Sequence, residues 1–519
     1  MLGVLYLSRT IVRDASIDWA VKFIIKFSDG DLFPKVMENE AISAEILKFT
    51  TEIQKNSDIP VVGGSRRFIV PKDELSYRQA TQLFPQDSII LTALIYQYGQ
   101  GIEERRVPND VVYSYRFAPD AEKGLYSANN EYENFRNKAL SLCASHGYVL
   151  CCDIADFYNQ IYHHTLENQL IASGFPNQAC KWIIKLLNST TANVSRGIPV
   201  GPHATHLLAE AAMIPIDNSL NEKGIIFLRH VDDILIFADS EVECKRALFE
   251  IASTLDKQQR LMLQRHKTRI YNYAEFKEIQ DKKLSHQTVL EEESLIYDIV
   301  NRYSDGNPYT TISYEDISEE DRVHLSEQVM ADIISSYLNQ ENIDYGGLRW
   351  FYKRLAQLGH PGAISFTLHS IDKLVPCFAQ ICIYFGSVQF KNQNEWKSVG
   401  VELLNLFENE YIAQSEYFRL LILSLFSRNS YINHFPLLAK RYNSLEAFGR
   451  REIILAAKTN DANDWLRELK ETYQAMDIWQ KSAFLFSMKA FPKDEKKFFI
   501  SNISFSTAYE TTIADWAKQ

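Results

Sequence analysis

The spacing of hydrophobic residues changes along the chain, and this change predicts two kinds of structure. In the first half, short apolar runs of strand length alternate with stretches whose apolar residues recur every three or four positions. We predict strands at 66–71, at 148–153 and on both sides of the Asp232-Asp233 pair in FLRHVDDILIFADS. Helices are predicted at residues 15–55 with a break at 28–30, and at 87–98, 129–146 and 241–260.

Past residue 276 the strand pattern nearly disappears and amphipathic helices follow one another. Examples lie at residues 327–338, 417–427, 451–458 and 479–490. Helices of this length with short polar connections predict stacked antiparallel pairs, an α-solenoid of HEAT type, with a plain helical bundle as the alternative. The predicted fold class is therefore α+β, with a mixed domain at residues 1–275 and an all-α HEAT-like domain at residues 276–519.

The composition is that of a globular protein and does not favour a grip on a long nucleic-acid duplex. Lys and Arg number 55 against 66 Asp and Glu, a net charge of -11, whereas duplex-binding proteins usually have a basic excess. The seven cysteines have no CxxC spacing, so we expect reduced, buried thiols. No apolar run approaches the ~20 residues of a membrane span, and no signal-peptide pattern is visible. We therefore predict a cytoplasmic protein without membrane contact.

Three aspartates at the ends of predicted strands are the candidate chemical groups. Asp232 and Asp233 interrupt an apolar run, and two carboxylates about 4 Å apart repel by about 4 kcal/mol at an effective dielectric near 20. A divalent metal would remove this repulsion, while a tight turn that favours Asp is the alternative. Asp153, at the end of another predicted strand, supplies a third carboxylate. Such a set can hold two metal ions about 3.5–4 Å apart, which suits in-line phosphoryl transfer.

In their order along the chain, these segments resemble the motifs of reverse transcriptases. Four segments resemble the palm motifs: DIADFYNQI, GIPVGPHATHLLAE, RHVDDILIF and LMLQRHKT. Two further segments, RRFIVPKDELSYRQA and YSYRF, resemble the fingers motifs, and the six together span residues 66–268. The resemblance implies that residues 1–275 form fingers and palm and that dNTPs are the substrates. It also implies two Mg²⁺ ions, with Mn²⁺ as an alternative metal, held by Asp153, Asp232 and Asp233, with Ile154 as a further metal-contacting position.

The same resemblance implies roles for five residues near the substrate. Tyr158 matches the aromatic residue that excludes a ribose 2′-hydroxyl, with ordinary core packing as the alternative. Lys72 and Arg78 match fingers positions that hold the incoming triphosphate, with plain surface charge as the alternative. Arg116 either braces the fingers or contacts phosphate. Lys267 either lies near the triphosphate or forms a structural ion pair.

Two positions depart from the usual pattern of these motifs. His230 replaces the aromatic residue before the Asp pair, a position that would touch the primer end. Val200 stands where template-copying relatives often carry Gln, which weakens the expectation of templated copying.

The long helical half further resembles the abortive-infection reverse transcriptases of bacterial phage defence, the AbiK-like and P2-prophage-like proteins. That resemblance implies a homo-oligomer that makes single-stranded DNA without a template, primed from a protein tyrosine and so covalently attached to it. Tyr6 is our candidate priming residue, with packing in the run LGVLYL as its alternative. A templated polymerase that uses a bound noncoding RNA is the alternative function, and a scaffold with a vestigial polymerase half is a third.

Overall fold

The chain forms two compact units, each built from several separate segments. The computed structural model describes residues 11–27, 30, 32–55, 58–127, 131–285, 290–304, 310–388, 393–432 and 434–519. The first unit comprises Met1–Gly30, Ile46–Arg67 and Thr81–Leu284, and the second comprises Asp31–Glu45, Phe68–Ala80 and Ser285–Gln519. Segments 31–45 and 68–80 thus group with the helical part of the chain, although the sequence analysis placed them in the domain at residues 1–275.

The strands form one four-stranded sheet and two small two-stranded sheets. They are β1 (Arg66–Pro71), β2 (Tyr77–Gln82), β3 (Phe117–Asp120), β4 (Gly124–Tyr126), β5 (Tyr148–Asp153), β6 (Phe227–His230), β7 (Asp233–Ala238) and β8 (Arg269–Asn272). The larger sheet has the order β6-β7-β5-β8, and each neighbouring pair in it is antiparallel. The predicted strand before Asp153 and the two strands around the Asp pair are confirmed.

Helices occupy most of the remaining chain. The first eleven are α1 (Asp14–Phe27), α2 (Asn39–Ala44), α3 (Ile46–Gln54), α4 (Pro85–Glu103), α5 (Glu131–His146), α6 (Phe157–Gln160), α7 (His163–Ala172), α8 (Asn177–Thr190), α9 (Ala204–Glu222), α10 (Glu241–Gln259) and α11 (Tyr273–Ser285). The others are α12 (Glu291–Ser304), α13 (Glu319–Arg322), α14 (Glu327–Leu338), α15 (Tyr345–Leu358), α16 (Ile364–His369), α17 (Ile371–Leu374), α18 (Phe378–Ser387), α19 (Gln393–Asn405), α20 (Glu410–Gln414), α21 (Glu416–Arg428), α22 (Phe435–Arg441), α23 (Ala447–Thr459), α24 (Asn463–Glu468), α25 (Ile478–Ser487), α26 (Lys493–Ser501) and α27 (Ala508–Lys518). Among the helices described, none has both the length and the apolar character needed to cross a membrane.

In the first unit, α5 covers one face of the four-stranded sheet. Phe135 and Ala139 of α5 share a buried cluster with Val149 of β5 and with Leu235 and Phe237 of β7. Side chains alternate between the two faces of a strand. The carboxylates at the ends of β5 and β7 therefore lie on the same face as this cluster.

The second unit contains a row of long helices. Along the row α15, α18, α21, α23, α25 and α27, each helix packs against the next, and α27 also packs against α2. The apolar stripe of each helix is buried in this way by its neighbours, which is the usual source of helix stability in proteins.

Residues 31–45 are fastened to this row by buried polar contacts. Tyr417 Oη donates to the Leu32 carbonyl at 2.7 Å, and Tyr509 Oη donates to Asn39 Oδ1 at 2.8 Å. Arg451 forms a buried ion pair with Glu38. Segment 31–45 therefore depends on helices that lie nearly 400 residues or more further along the chain.

We expect a chain truncated at about residue 275 to be poorly soluble and inactive. Truncation removes the helices that cover this segment, so its buried apolar side chains, among them Phe33 and Ile42, become exposed, and Glu38 loses its arginine partner. Size-exclusion chromatography and nucleotide incorporation measure the outcome, with the full-length chain as control. A soluble, fully active monomer from the truncated chain would contradict this expectation.

Candidate active site

The three predicted aspartates come together at one end of the four-stranded sheet. In the pairing of β5 with β7, Asp153 lies directly opposite Asp233. Because His230 pairs with Asp233, Asp232 lies in the two-residue turn between β6 and β7. The Ile154 N–H donates to the Asp232 carbonyl at 3.2 Å. This bond ties the end of β5 to the turn, and the metal contact expected of Ile154 stays a prediction.

The turn that carries Asp232 has an unusual backbone. Val231 has a φ of 59°, in the left-handed region, where a β-branched residue is a conformational outlier that costs about 1–3 kcal/mol. Its N–H donates to Ser114 Oγ at 2.9 Å, and its carbonyl accepts from Arg229 Nη1 at 2.8 Å. Both main-chain polar groups of Val231 are thus held by neighbouring side chains.

The carboxylates create a strongly negative local environment. Burial, with smaller contributions from the charges of Asp233 and Asp153, raises the pKa of Asp232 to about 6. Asp153 is buried, and Lys267 Nζ lies 2.6 Å from its Oδ2. Burial alone would lower the pKa of Lys267, but the hydrogen bond and the charge of Asp153 raise it above its usual value. Lys267 therefore compensates part of the negative charge.

The chemistry of these side chains suits a divalent metal. Carboxylate oxygens are the ligands that Mg²⁺ prefers, and its sites commonly use one or two carboxylates together with substrate phosphates. Within the described parts of the chain, no three His, Cys, Asp or Glu side chains already converge on a metal position. Metal binding at Asp153 would therefore require the carboxylate side chains to turn toward the ion, while Lys267 pairs with only one of the two oxygens of Asp153. The two-metal centre stays a prediction.

A cavity of about 270 Å³ lies beside Asp153 and Asp233. Its walls include four aromatic residues and four basic residues: Tyr132, Phe135, Tyr271 and Phe276, and Arg136, His266, Lys267 and Arg269. In the described residues, the buried Nε of Arg136 has no hydrogen-bond partner. Basic groups attract phosphate oxygens and aromatic rings can contact a sugar or base, so the cavity suits part of a nucleotide chain.

His230 stands at the edge of this region. Its ring centroid lies 5.4 Å from that of Tyr132 and 5.8 Å from that of Phe135, and burial lowers the pKa of His230. A neutral imidazole against two aromatic rings replaces the aromatic residue expected from the motif. Its contact with a primer end stays a prediction.

Tyr158 is held by a histidine that the sequence analysis did not connect with it. The Tyr158 hydroxyl lies 2.7 Å from His206 Nδ1. The His206 ring stacks on Tyr115 with centroids 4.1 Å apart and an interplanar angle of 2°. Burial raises the pKa of Tyr158 well above its usual value, with further contributions that include the charge of Asp232. The ring is therefore fixed in the neighbourhood of the aspartates.

Arg116 has the structural partners expected of a bracing residue. Its Nε lies 2.8 Å from Glu103 Oε1, and its Nη2 donates to the Val107 carbonyl at 3.0 Å. These contacts favour the bracing alternative over contact with phosphate.

Lys72 and Arg78 belong to the second unit. Lys72 is exposed in the turn after β1, and its carbonyl accepts from Arg349. Arg78 on β2 is half-buried; burial and the charge of Arg349 lower its pKa, and its Nε has no partner in the described part of the chain. Their roles in triphosphate binding stay predictions. Tyr6 lies outside the described residues.

Several charged residues near the turn were missed from the sequence. Arg229 in FLRH, and Glu210 and Asp217 in ATHLLAEAAMIPID, are almost completely buried. A signal was present, since a charged residue inside an apolar run requires a counter-charge. The seven-residue spacing of Glu210 and Asp217 also places both on one face of α9.

Comparison with known proteins identifies one matching family. The family model described as "Reverse transcriptase (RNA-dependent DNA polymerase)" matches residues 71–342, just over half of the chain. The match includes all three aspartates, and it continues past residue 275 to residue 342, just beyond the end of α14. No curated protein matches the chain.

Proposed function

The chain belongs to the reverse transcriptase family and is a DNA-polymerising nucleotidyltransferase, and from this premise we propose a specific activity for it. We propose that it joins dNTPs into single-stranded DNA without a template, starts from one of its own tyrosines, and acts in abortive infection against phage. The observation that carries the nucleotidyl-transfer part of the proposal is the junction of Asp153, Asp232 and Asp233 at the end of the sheet.

Each residue of the site has a distinct task in this reaction. Bound Mg²⁺ would supply Lewis-acid activation of the attacking hydroxyl and charge neutralisation at the leaving pyrophosphate. Asp153, Asp232 and Asp233 provide the oxygen ligands. Tyr158, fixed by His206, occupies the space that a 2′-hydroxyl would need. Lys267 places a cation beside the reacting phosphates once it leaves Asp153.

Two features support synthesis without a template. Val200 offers no side-chain hydrogen bond to a template strand, and its carbonyl is occupied by the Thr81 N–H at 2.8 Å. The net charge of -11 does not favour the counterion release that stabilises protein on a long duplex. An enzyme that extends a single strand needs less of this attraction.

The packing of the helices in the second unit supports the predicted HEAT-like fold. Its row of helices, each packed on the next, is compatible with a solenoid, a class of fold whose ends and faces commonly mediate assembly. We propose that this unit is a HEAT-like domain that joins copies of the chain into a homo-oligomer, and that the protein acts in the cytoplasm.

A tyrosine primer must present its hydroxyl at the aspartates. A phenol has a pKa near 10, so it loses its proton beside a metal more readily than an aliphatic hydroxyl. Tyr6 remains our candidate from the sequence. The cavity beside Asp153 adds two others, since Tyr132, with half of its surface exposed, and Tyr271 both line it.

The decisive experiment incubates nucleic-acid-free protein with dNTPs and Mg²⁺. We expect DNA that remains attached to protein after denaturation, because the first nucleotide is joined to a tyrosine. After nuclease trimming, peptide mass spectrometry should find a nucleotide adduct on one tyrosine. Asp153→Asn protein, treated identically, is the control, because we expect it to be unable to join nucleotides.

The variants Tyr6→Phe, Tyr132→Phe and Tyr271→Phe then test the three candidates one by one. Only the substitution of the priming tyrosine should abolish initiation. DNA with a free 5′ end and no adduct would refute protein priming. Strict dependence on a co-purified RNA would instead establish the templated alternative.

A further inference from the structure

Four buried charged side chains, two of each sign, pair with one another in the first unit, and one of them, Arg106, also pairs with the less buried Glu103 at 2.9 Å. Arg229 pairs with Glu210 at 2.8 Å and with Asp217 at 2.6 Å, and Arg106 pairs with Glu210 at 2.8 Å. All four side chains are at most 1% exposed. The free energy lost when these charges are removed from water is about as large as the free energy gained from their pairing. The network therefore calls for an explanation other than stability.

The network leads directly to the turn that carries Asp232. Glu210 Oε1 accepts from the Ser114 hydroxyl at 2.7 Å, and Ser114 Oγ accepts from the Val231 N–H at 2.9 Å. On the other side, Arg229 donates through Nη1 to the Val231 carbonyl at 2.8 Å and through Nη2 to Glu210 Oε2 at 2.8 Å. Both hydrogen bonds of Val231 thus converge on a single carboxylate.

The segment that carries Ser114 is itself fixed to β6. The Tyr113 N–H donates to the Arg229 carbonyl at 3.0 Å, and the Arg229 N–H donates to the Val111 carbonyl at 2.9 Å. Ser114 cannot shift without breaking these main-chain bonds. The hydroxyl is therefore held on a rigid support, as the positioning of a reactive group requires.

We propose that Ser114 and Glu210 are positioning residues that hold the Val231 turn, and with it the Asp232 carboxylate, in the geometry that nucleotidyl transfer needs. Val231 is a β-branched residue in the left-handed region, so the turn tends to relax when its two bonds are weakened. Relaxation would displace Asp232, the next residue. A displacement on the order of 1 Å from the reactive geometry can cost about 100-fold in rate.

The mildest test is Ser114→Ala, which removes one hydroxyl and leaves all four charges in place. We expect kcat for dNTP incorporation to fall about 10- to 100-fold, while KM for dNTP changes less than about twofold because Ser114 is buried and acts through Val231. The Mg²⁺ concentration at half-maximal rate should rise. Ser114→Thr, which restores the hydroxyl, should recover most of kcat.

Thr190→Val is the matched control. Thr190 is buried, and its hydroxyl donates to the Leu187 carbonyl at 2.9 Å within α8. This variant loses a buried hydroxyl that donates only to a main-chain carbonyl, so its melting temperature should fall less than that of Ser114→Ala, which loses a bond to a carboxylate and an acceptor of a main-chain N–H. Its kcat and Mg²⁺ dependence should stay at the wild-type values.

Hydrogen exchange gives a readout that does not depend on activity. Without the Ser114 hydroxyl the Val231 amide loses its acceptor, so a peptide covering residues 228–236 should exchange faster in Ser114→Ala than in Thr190→Val. Glu210→Gln, which weakens both arms of the network, should increase exchange and lower kcat further.

The inference rests on the assignment of Asp232 to the reaction and can fail separately from it. If Asp232→Asn stays active, the assignment of the site is wrong. If Asp232→Asn is inactive but Ser114→Ala exchanges faster with an unchanged kcat, the site stands and the positioning role is refuted. Unchanged exchange in a folded Ser114→Ala protein would refute it equally.

Discussion

Asp232→Asn is expected to reduce nucleotide incorporation by at least about 1,000-fold, because the neutral amide is a poor ligand for a hard divalent cation. Asp153→Asn should have an effect of similar size. Steady-state incorporation of labelled dNTP measures both. Asp239→Asn, at an exposed aspartate just after β7, is the matched control and should keep the wild-type rate.

Loss of activity must be separated from loss of structure. Burial and the neighbouring charges of Asp233 and Asp153 raise the pKa of Asp232 to about 6, so its ionised form is disfavoured in the metal-free protein. Replacing it with a neutral amide relieves that repulsion. The melting temperature without metal should therefore hold or rise. Near-normal incorporation by either variant would show that the metal assignment is wrong.

Tyr158→Ala is expected to admit ribonucleotides. The ring is held by the hydrogen bond to His206, and its removal opens the space that excludes a 2′-hydroxyl, the group that distinguishes the two substrates. The ratio of rNTP to dNTP incorporation should rise at least about tenfold, which corresponds to about 1.4 kcal/mol of lost discrimination. Competition assays with paired dNTP and rNTP measure it.

Tyr158→Phe is the control for this experiment. It keeps the aromatic ring but removes the hydroxyl that bonds His206, so most of the discrimination should remain. An unchanged ratio in Tyr158→Ala would return Tyr158 to a packing role. An equal rise in both variants would show that the hydroxyl, and not the ring, is responsible.

Local features of the sequence predicted the centre of the first unit. The apolar run that ends at Asp153 and the two runs that flank the Asp pair became β5, β6 and β7, because continuous apolar runs of this length form buried strands. Strand pairing then brought the three aspartates together. For these residues, position in the chain was sufficient to indicate position in the fold.

Other features depend on partners that no local pattern specifies. Tyr158 meets a histidine 48 residues away, and Ser114 meets Glu210 across 96 residues. Segment 68–80 reads as part of the fingers yet groups with the helical unit. Hydrophobic periodicity reports which face of an element is buried, but not which distant element covers it. The charged residues within apolar runs indicated that each needs an oppositely charged partner, but the sequence did not indicate which residue that partner is.

The discontinuous second unit has a consequence for the timing of synthesis. Glu45 accepts a hydrogen bond from Gln519, 474 residues further along the chain, and Asn39 accepts one from Tyr509. At about 5–20 residues per second, segment 31–45 spends about 25–100 s on the ribosome before its partners exist. During that interval Phe33 can meet Phe68, whose ring centroid lies 5.5 Å away in the folded chain, but not Tyr417, so part of its apolar surface stays uncovered and favours aggregation. The second unit can therefore complete its packing only after the residues of α27 have been synthesised.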